Sequence, residues 1–317
     1  MNEELPGSAR RLAEELAEDG IELDGAATLR DVLLEDLDYA RRIPAFEGRR
    51  PLYGSIVMPD GSAIDDAAGV GDIVPLDGLT QAMARTFADG RSAFLVHRPD
   101  DTPVLACFDR PVQYESELVR LQQATGARIV QRTAVLGQVR LFTERRVISW
   151  DGRDWTERPT AAALVGALQQ GAPNLDPTVA HGLLDLTVHW LSPAHVGATI
   201  VVHEEGFRWD ALDVATKSRA PRLSLTSRRH FPALFAALSQ HDLATLATSD
   251  GSVMYLGVGL RTSDEAERHG DTERGMRHRS AQRFSYDHPS TTIAVVSEDG
   301  PVTVFRGGQA LPLEITD

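Results

Sequence analysis

The sequence predicts an α/β protein built in two units. Short apolar runs of strand type alternate with helix-periodic stretches along the whole chain. At 317 residues there is room for about two domains of ordinary size. A helix-breaking stretch, Gly171-Ala172-Pro173-Asn174, interrupts the pattern near its middle. Apolar residues make up 42 %, enough for a sizeable core.

In chain order, Leu12 and Leu16 lie four apart in an otherwise charged stretch, the pattern of a surface helix. A second helix is expected over about 29–42. Tyr53 to Met58 reads as a short apolar strand followed by turn chemistry at Pro59-Asp60-Gly61. Leu79, Met83 and Phe87 mark a helix that Gly90 ends. Ala93 to Val96 and Val104 to Phe108 read as strands joined at Pro99-Asp100-Asp101. A helix near 113–125 follows, then strands at about 128–131, 138–142 and 146–150, with a turn at Asp151-Gly152 and Trp155 closing the segment.

The boundary falls in 157–176, a helix and linker between domains at 1–156 and 177–317. Beyond it, Leu183, Leu184, Val188 and Leu191 form a helical stripe, and Gly197 to Val202 is a strand of buried type. Phe231, Leu234, Phe235 and Leu238 make a helix. Leu243 to Thr248 and Val253 to Val258 form a hairpin around Asp250-Gly251. A polar loop covers 261–274, a helix starts near Gly275, and Thr292 to Val296 with Val302 to Phe305 form a last hairpin. Asp-Gly turns recur, but any hairpin favours them, so they do not by themselves establish two analogous halves.

Composition excludes several functions. Lys plus Arg total 32 against 46 Asp plus Glu, a net charge of −14. Such a chain is poorly suited to nucleic-acid backbones or to an anionic membrane. The only cysteine, Cys107, rules out intramolecular disulfides, zinc ribbons and iron–sulfur clusters, and reads as core. The acidic first twenty residues (Glu3, Glu4, Glu14, Glu15, Glu18, Asp19) resemble no secretory signal, and the longest near-apolar run, 161–168, is far too short to span a bilayer. The expectation is a cytoplasmic protein. Lys217-Ser218 lacks the glycine of a Walker loop, and no metalloprotease helix or nucleophile elbow is present.

The densest chemical signal is Gly275-Met276-Arg277-His278-Arg279-Ser280-Ala281. Guanidinium forks match phosphate oxygens, and a helix N-terminus adds positive potential. The alternative is a solvated basic turn. Arg228-Arg229-His230, ahead of Pro232, is a second basic cluster, suited either to phosphate contact or to helix entry. Trp150 and Trp155 suggest packing or ligand stacking.

The Arg277-His278-Arg279 run, the strand Thr292 to Val296 ending in Ser297-Glu298, and the Gly197-Ala198 strand resemble the diadenylate cyclase family, the nucleotidyltransferase domain of the DNA-integrity scanning protein. The elements follow the family's order over about 180–310. The family's Asp-Gly-Ala aspartate precedes the first strand of its hairpin. That position here is Asp242, preferred over Asp250, which sits in an ordinary turn. Leu243 then stands where the family has glycine, and Met276 replaces a small hydroxyl residue.

The resemblance implies a C-terminal mixed β-sheet flanked by helices, preceded by a smaller α/β domain of sensory or regulatory role. It implies condensation of two ATP to cyclic di-AMP, with Asp242 catalytic. His241, Asp242 and Glu298 would hold Mg²⁺ or Mn²⁺. Arg277 and Arg279 would grip phosphates, His278 and Ser280 would hydrogen-bond nearby, and Gly197 and Ala198 would leave room for the nucleotide. Each also has a plainer reading, His241 as a helix C-terminal charge and Glu298 as a turn residue. Because one domain holds one ATP, the resemblance implies a homodimer or higher homo-oligomer. A catalytically weak relative that binds an adenine nucleotide as a sensor is the alternative.

Overall fold

The structure is a computed structural model that describes residues 5–23, 27–60, 62, 64, 69–98, 102–133, 137–204, 207, 212–213, 218–269 and 275–313. Glu3, Glu4, Gly61, the turn at Pro99-Asp100-Asp101, Lys217 and the 270–274 end of the polar loop lie outside the described residues. The chain divides into two compact units, residues 1–159 and 160–317.

The first unit begins with helices α1 (Gly7–Glu18) and α2 (Ala27–Arg42). Then come β1 (Tyr53–Val57), β2 (Val70–Pro75), α3 (Gln81–Arg85), β3 (Ala93–His97), β4 (Val104–Phe108) and α4 (Glu115–Thr125). Strands β5 (Arg128–Arg132), β6 (Val139–Phe142), β7 (Arg146–Trp150) and β8 (Trp155–Pro159) complete it. The eight strands lie in the order β2-β4-β3-β1-β5-β6-β7-β8. β1 and β3 run parallel and the other neighbours antiparallel.

Both faces of this sheet are covered, which is why its inner strands read as continuous apolar runs. Leu12 and Leu16 of α1 and Leu33, Leu34 and Leu37 of α2 pack with Leu95, Val130 and Leu141. Leu118, Val119 and Leu121 of α4 pack with Ile56, Phe94 and Ile129. A Cβ on Gly54 would lie 2.4 Å from Gly90 Cα, so β1 and the turn before β3 meet backbone to backbone. Asp36 of α2 is fully buried, with Arg85 Nη2 2.9 Å from its Oδ1 and His97 Nε2 2.9 Å from its Oδ2. Burial pushes the Asp36 carboxyl up, but the His97 and Arg85 charges outweigh it and hold the group well below the usual carboxylate range.

The second unit opens with α5 (Ala161–Gly171) and α6 (Pro177–Leu186), which continues into a π-helical turn over Thr187–Leu191. Next come β9 (Ala198–His203), β10 (Leu212–Asp213), β11 (Ser218–Ser224), α7 (Phe231–Leu238), β12 (Ala244–Thr248) and β13 (Ser252–Leu260). Helices α8 (Asp264–His269) and α9 (Met276–Asp287) precede β14 (Thr292–Val296), β15 (Val302–Arg306) and β16 (Gln309–Ala310). The strand order is β10-β13-β12-β9-β14-β15-β16, with β11 also on β13. β9 and β12 are parallel and the remaining pairs antiparallel. Val201, Leu246, Ile293, Val295 and Phe305 meet Ala281 and Phe284 of α9.

The two sheets share one connectivity. In each, the central strand (β1, β9) pairs in parallel with the first strand of a hairpin (β3–β4, β12–β13) and antiparallel with the strand after the last long helix (β5, β14). α4 and α9 occupy the same place in this order.

Several elements differ from expectation. The two units are nearly equal in length, so the first is not the smaller, and the stretch expected as a helix and linker starts the second: Thr160 caps α5, accepting a bond from Ala163 N–H. The helix marked by Leu79, Met83 and Phe87 is only α3, and all three side chains are exposed. No strand is expected from the sequence at β2, β8, β10, β11 or β16, and α8 falls in the expected polar loop. Trp150 and Trp155 are cross-strand partners with ring centroids 5.4 Å apart, and Arg41 lies over Trp150, so the pair is packing. Cys107 is a half-buried member of β4.

Candidate nucleotide site

Sheet register explains how distant residues meet. Val296 pairs with Ala198, and Ala244 pairs with Thr199. The residues just before β9, just before β12 and just after β14 therefore leave one end of the sheet side by side. These are Gly197, Asp242-Leu243 and Ser297-Glu298. α9, anchored on the sheet by Ala281 and Phe284, presents its first turn to that end. Its N-cap, Gly275, supplies no side-chain cap, so among the described residues no N-cap side chain takes up the first backbone N–H groups.

A cavity of about 600 Å³ lies there. Asp242, Glu298, Asp299, Arg277, His278 and Ser280 line its polar side, and Leu243, Val258, Leu260 and Met276 its apolar side. Arg277 bridges two carboxylates: its Nη1 donates to Glu298 Oε1 at 2.8 Å, and its Nη2 stands 3.4 Å from Asp242 Oδ1. With three carboxylates against one guanidinium, the cavity is acidic. A triphosphate entering it needs accompanying cations.

Not every expected residue joins the cavity. Arg279 follows Arg277 by two positions, about 200° around a helix, and lies outside the lining. The two arginines therefore do not face one ligand. His241 also lies outside it, its Nδ1 donating at 2.9 Å to the Ala237 carbonyl at the end of α7, which is its plainer reading. Among the described residues, His241, Asp242 and Glu298 form no three-ligand group for a metal, since the imidazole is held at the helix end and Arg277 lies between the carboxylates. Gly197 makes room for protein rather than directly for a ligand: a Cβ there would come 2.4 Å from Arg277 Nη1 and 2.9 Å from Glu298 Cγ. Ala198 is buried in β9.

Asp250 sits in the β12–β13 turn, accepting from Ser252 N–H at 3.0 Å and from the Thr248 hydroxyl. The Thr248 and Ser252 bonds hold its carboxyl below the usual range. The second basic cluster is structural too: Arg228 Nε donates to the buried Asp185 at 2.6 Å, and His230 Nδ1 accepts from Ser224 N–H. Leu243 adopts φ 69°, a left-handed conformation costly for a leucine, while 53 % exposed.

Sequence reasoning missed the supports of the Glu298 turn. His195 Nδ1 donates to the Glu298 carbonyl at 3.0 Å, and Ser192 Oγ donates to the Gly300 carbonyl. The only local sign is Ser192-Pro193, which marks a turn without revealing its distant partner. Thr199 and Asp299 also line the cavity.

Residues 185–310 match the family model of the DisA bacterial checkpoint controller nucleotide-binding domain, DAC. Residues 10–158 match the model described as "Probable sensor domain DACNK". No curated protein matches the chain. Among solved structures, a hypothetical membrane spanning protein from Bacillus cereus is 21 % identical over 48 % of this chain and 72 % of its own, with a TM-score of 0.35. A double mutant of DacA from Staphylococcus aureus is 18 % identical over 47 % of this chain and 85 % of its own, with a TM-score of 0.31. No described helix is long and apolar enough to cross a membrane. Residues 185–310 thus form a domain of the DisA nucleotide-binding (DAC) family, the family the sequence motifs resemble.

Proposed function

We propose that the second unit condenses two ATP molecules into cyclic di-AMP and two pyrophosphates, working face to face with a second copy. The single observation that carries this reading is the convergence of Asp242, Glu298 and Arg277 on one cavity beside the open N-terminus of α9. In each half-reaction a ribose 3′-oxygen bonds to the α-phosphorus of the other ATP. The bond from that phosphorus to the bridging oxygen breaks, pyrophosphate leaves with its electron pair, and the hydroxyl proton passes to a carboxylate or to water.

The donor set suits Mg²⁺ or Mn²⁺, hard cations that take one or two carboxylates and complete their shell with phosphate oxygens and water. Asp242 and Glu298 supply two such carboxylates on one cavity wall. Held by these two carboxylates, such a cation would supply neutralisation of phosphate charge and acidification of the attacking hydroxyl. Asp242 orients that hydroxyl. Arg277 and the α9 N–H groups bind phosphate oxygens, with Ser280 and His278 as neighbouring hydrogen-bonding groups. Arg279, outside the cavity lining, is given no phosphate contact in this reading.

One observation favours a second reading, a nucleotide-binding relative with little turnover. Leu243 puts an isobutyl group on the cavity wall in a backbone conformation suited to glycine. Incubation with ATP and Mn²⁺ followed by mass spectrometry separates the two. Cyclic di-AMP whose rate per chain falls on dilution supports the cyclase. ATP binding without product supports the binder, and a rate first order in protein at every concentration contradicts the paired mechanism.

A further inference from the structure

Arg277 occupies the place between the carboxylates that would hold the divalent cation. Its guanidinium lies 2.8 Å from Glu298 and 3.4 Å from Asp242, and no other arginine or lysine among the described residues lines the cavity. The fit has a backbone basis: Gly197 lacks the Cβ that would come 2.4 Å from Nη1 and 2.9 Å from Cζ. The clamp is also weak, because the Asp242 and Glu298 side chains are 91 % and 70 % exposed.

We propose that Arg277 is an internal counter-cation that couples metal binding to nucleotide binding by exchanging partners. This rests on the reading of the cavity as a metal-assisted nucleotide site. Before ligands arrive, the guanidinium partly offsets the charge of Asp242 and Glu298 and competes with a divalent cation for them. Phosphate oxygens offer it a stronger, bidentate partner. When they take it, both carboxylates are released to the metal. Metal alone and nucleotide alone therefore bind weakly, and each raises the affinity of the other by the same factor.

The test uses the full chain, free Mn²⁺ counted by electron paramagnetic resonance, and α,β-methylene ATP as a probe that cannot react. In wild type, the analogue is expected to tighten Mn²⁺ binding by about tenfold or more. Arg277→Gln is expected to bind Mn²⁺ alone roughly threefold to tenfold tighter than wild type, to bind the analogue more weakly, and to lose most of the coupling. Glu298→Gln must weaken Mn²⁺ in every background. Mn²⁺ binding to Arg277→Gln that is unchanged or weaker overturns the exchange, even if wild type binds the Mn²⁺–analogue pair and the cyclase reading stands. Wild type that binds neither probe overturns both.

Discussion

Leu243 shows how one residue sets the character of this site. A left-handed leucine costs about 1–2 kcal/mol, and burial does not repay it, because the side chain is half exposed. Glycine adopts the same φ without strain. Leu243→Gly should therefore stabilise the protein by up to about 1 kcal/mol, read as a raised urea midpoint with unchanged slope. An ordinary exposed leucine replaced by glycine would lower it. The same change widens the cavity, so affinity for α,β-methylene ATP should rise. Leu243→Ala keeps the strain and removes the bulk, and so separates the two effects.

Asp36 gives a residue-scale prediction for the first unit. Its carboxyl titrates lower in the folded protein than the ordinary 3.8. The folded state thus binds fewer protons there, so the stability it adds is complete above that value and is lost as pH falls through the folded one. Asp36→Asn removes the buried carboxylate that faces Arg85 and His97, leaves Arg85 only Glu35 at 3.6 Å, and should cost roughly 3–5 kcal/mol at neutral pH. The gap from wild type should narrow below pH ~4, as followed by denaturant unfolding across a pH series.

At the scale of elements, what was legible in the sequence depended on burial. β9 and β14 are buried along their whole length and stand out as continuous apolar runs. β11, Ser218–Ser224, pairs at one edge of its sheet with mostly exposed residues, and its sequence carries no strand signal. Leu79, Met83 and Phe87 have helical spacing, but periodicity does not say whether a face is covered, and theirs is not. The site divides the same way. Asp242 and Arg277 are legible from motif and charge. That Arg279 turns away depends on helix phase, and that His195 holds the Glu298 turn depends on a tertiary contact with no local sign. The helix α9 end predicts its own test: Ser280→Ala, which removes one cavity hydroxyl, should weaken the nucleotide analogue by less than tenfold, whereas Arg277→Gln should cost more.

At the scale of the whole molecule, the two units share a sheet order but not a site. The counterpart of the α9 N-terminus is the start of α4, where Glu115 and Ser116 stand at the positions of Met276 and Arg277. The buried Glu115 carboxylate holds Arg140, at 3.1 Å, and Arg158, while Gln131 donates to the Gly90 carbonyl at 2.7 Å. These contacts pair the Glu115 carboxylate within the unit at the place where the second unit has its cavity. The chain should therefore bind one nucleotide, not two. Calorimetry with α,β-methylene ATP and Mn²⁺ should give one site per chain, and two would show that the first unit keeps a working crevice.

The proposed chemistry depends on Asp242, and not Asp250, working on ATP in the cavity with Arg277. Cyclic di-AMP formation measured by mass spectrometry for wild type, Asp242→Asn and Asp250→Asn tests it most directly. The expected result is product from wild type and from Asp250→Asn, with at least ~100-fold less from Asp242→Asn. Product that persists in Asp242→Asn, or that is lost with Asp250→Asn while the protein remains folded, would contradict it.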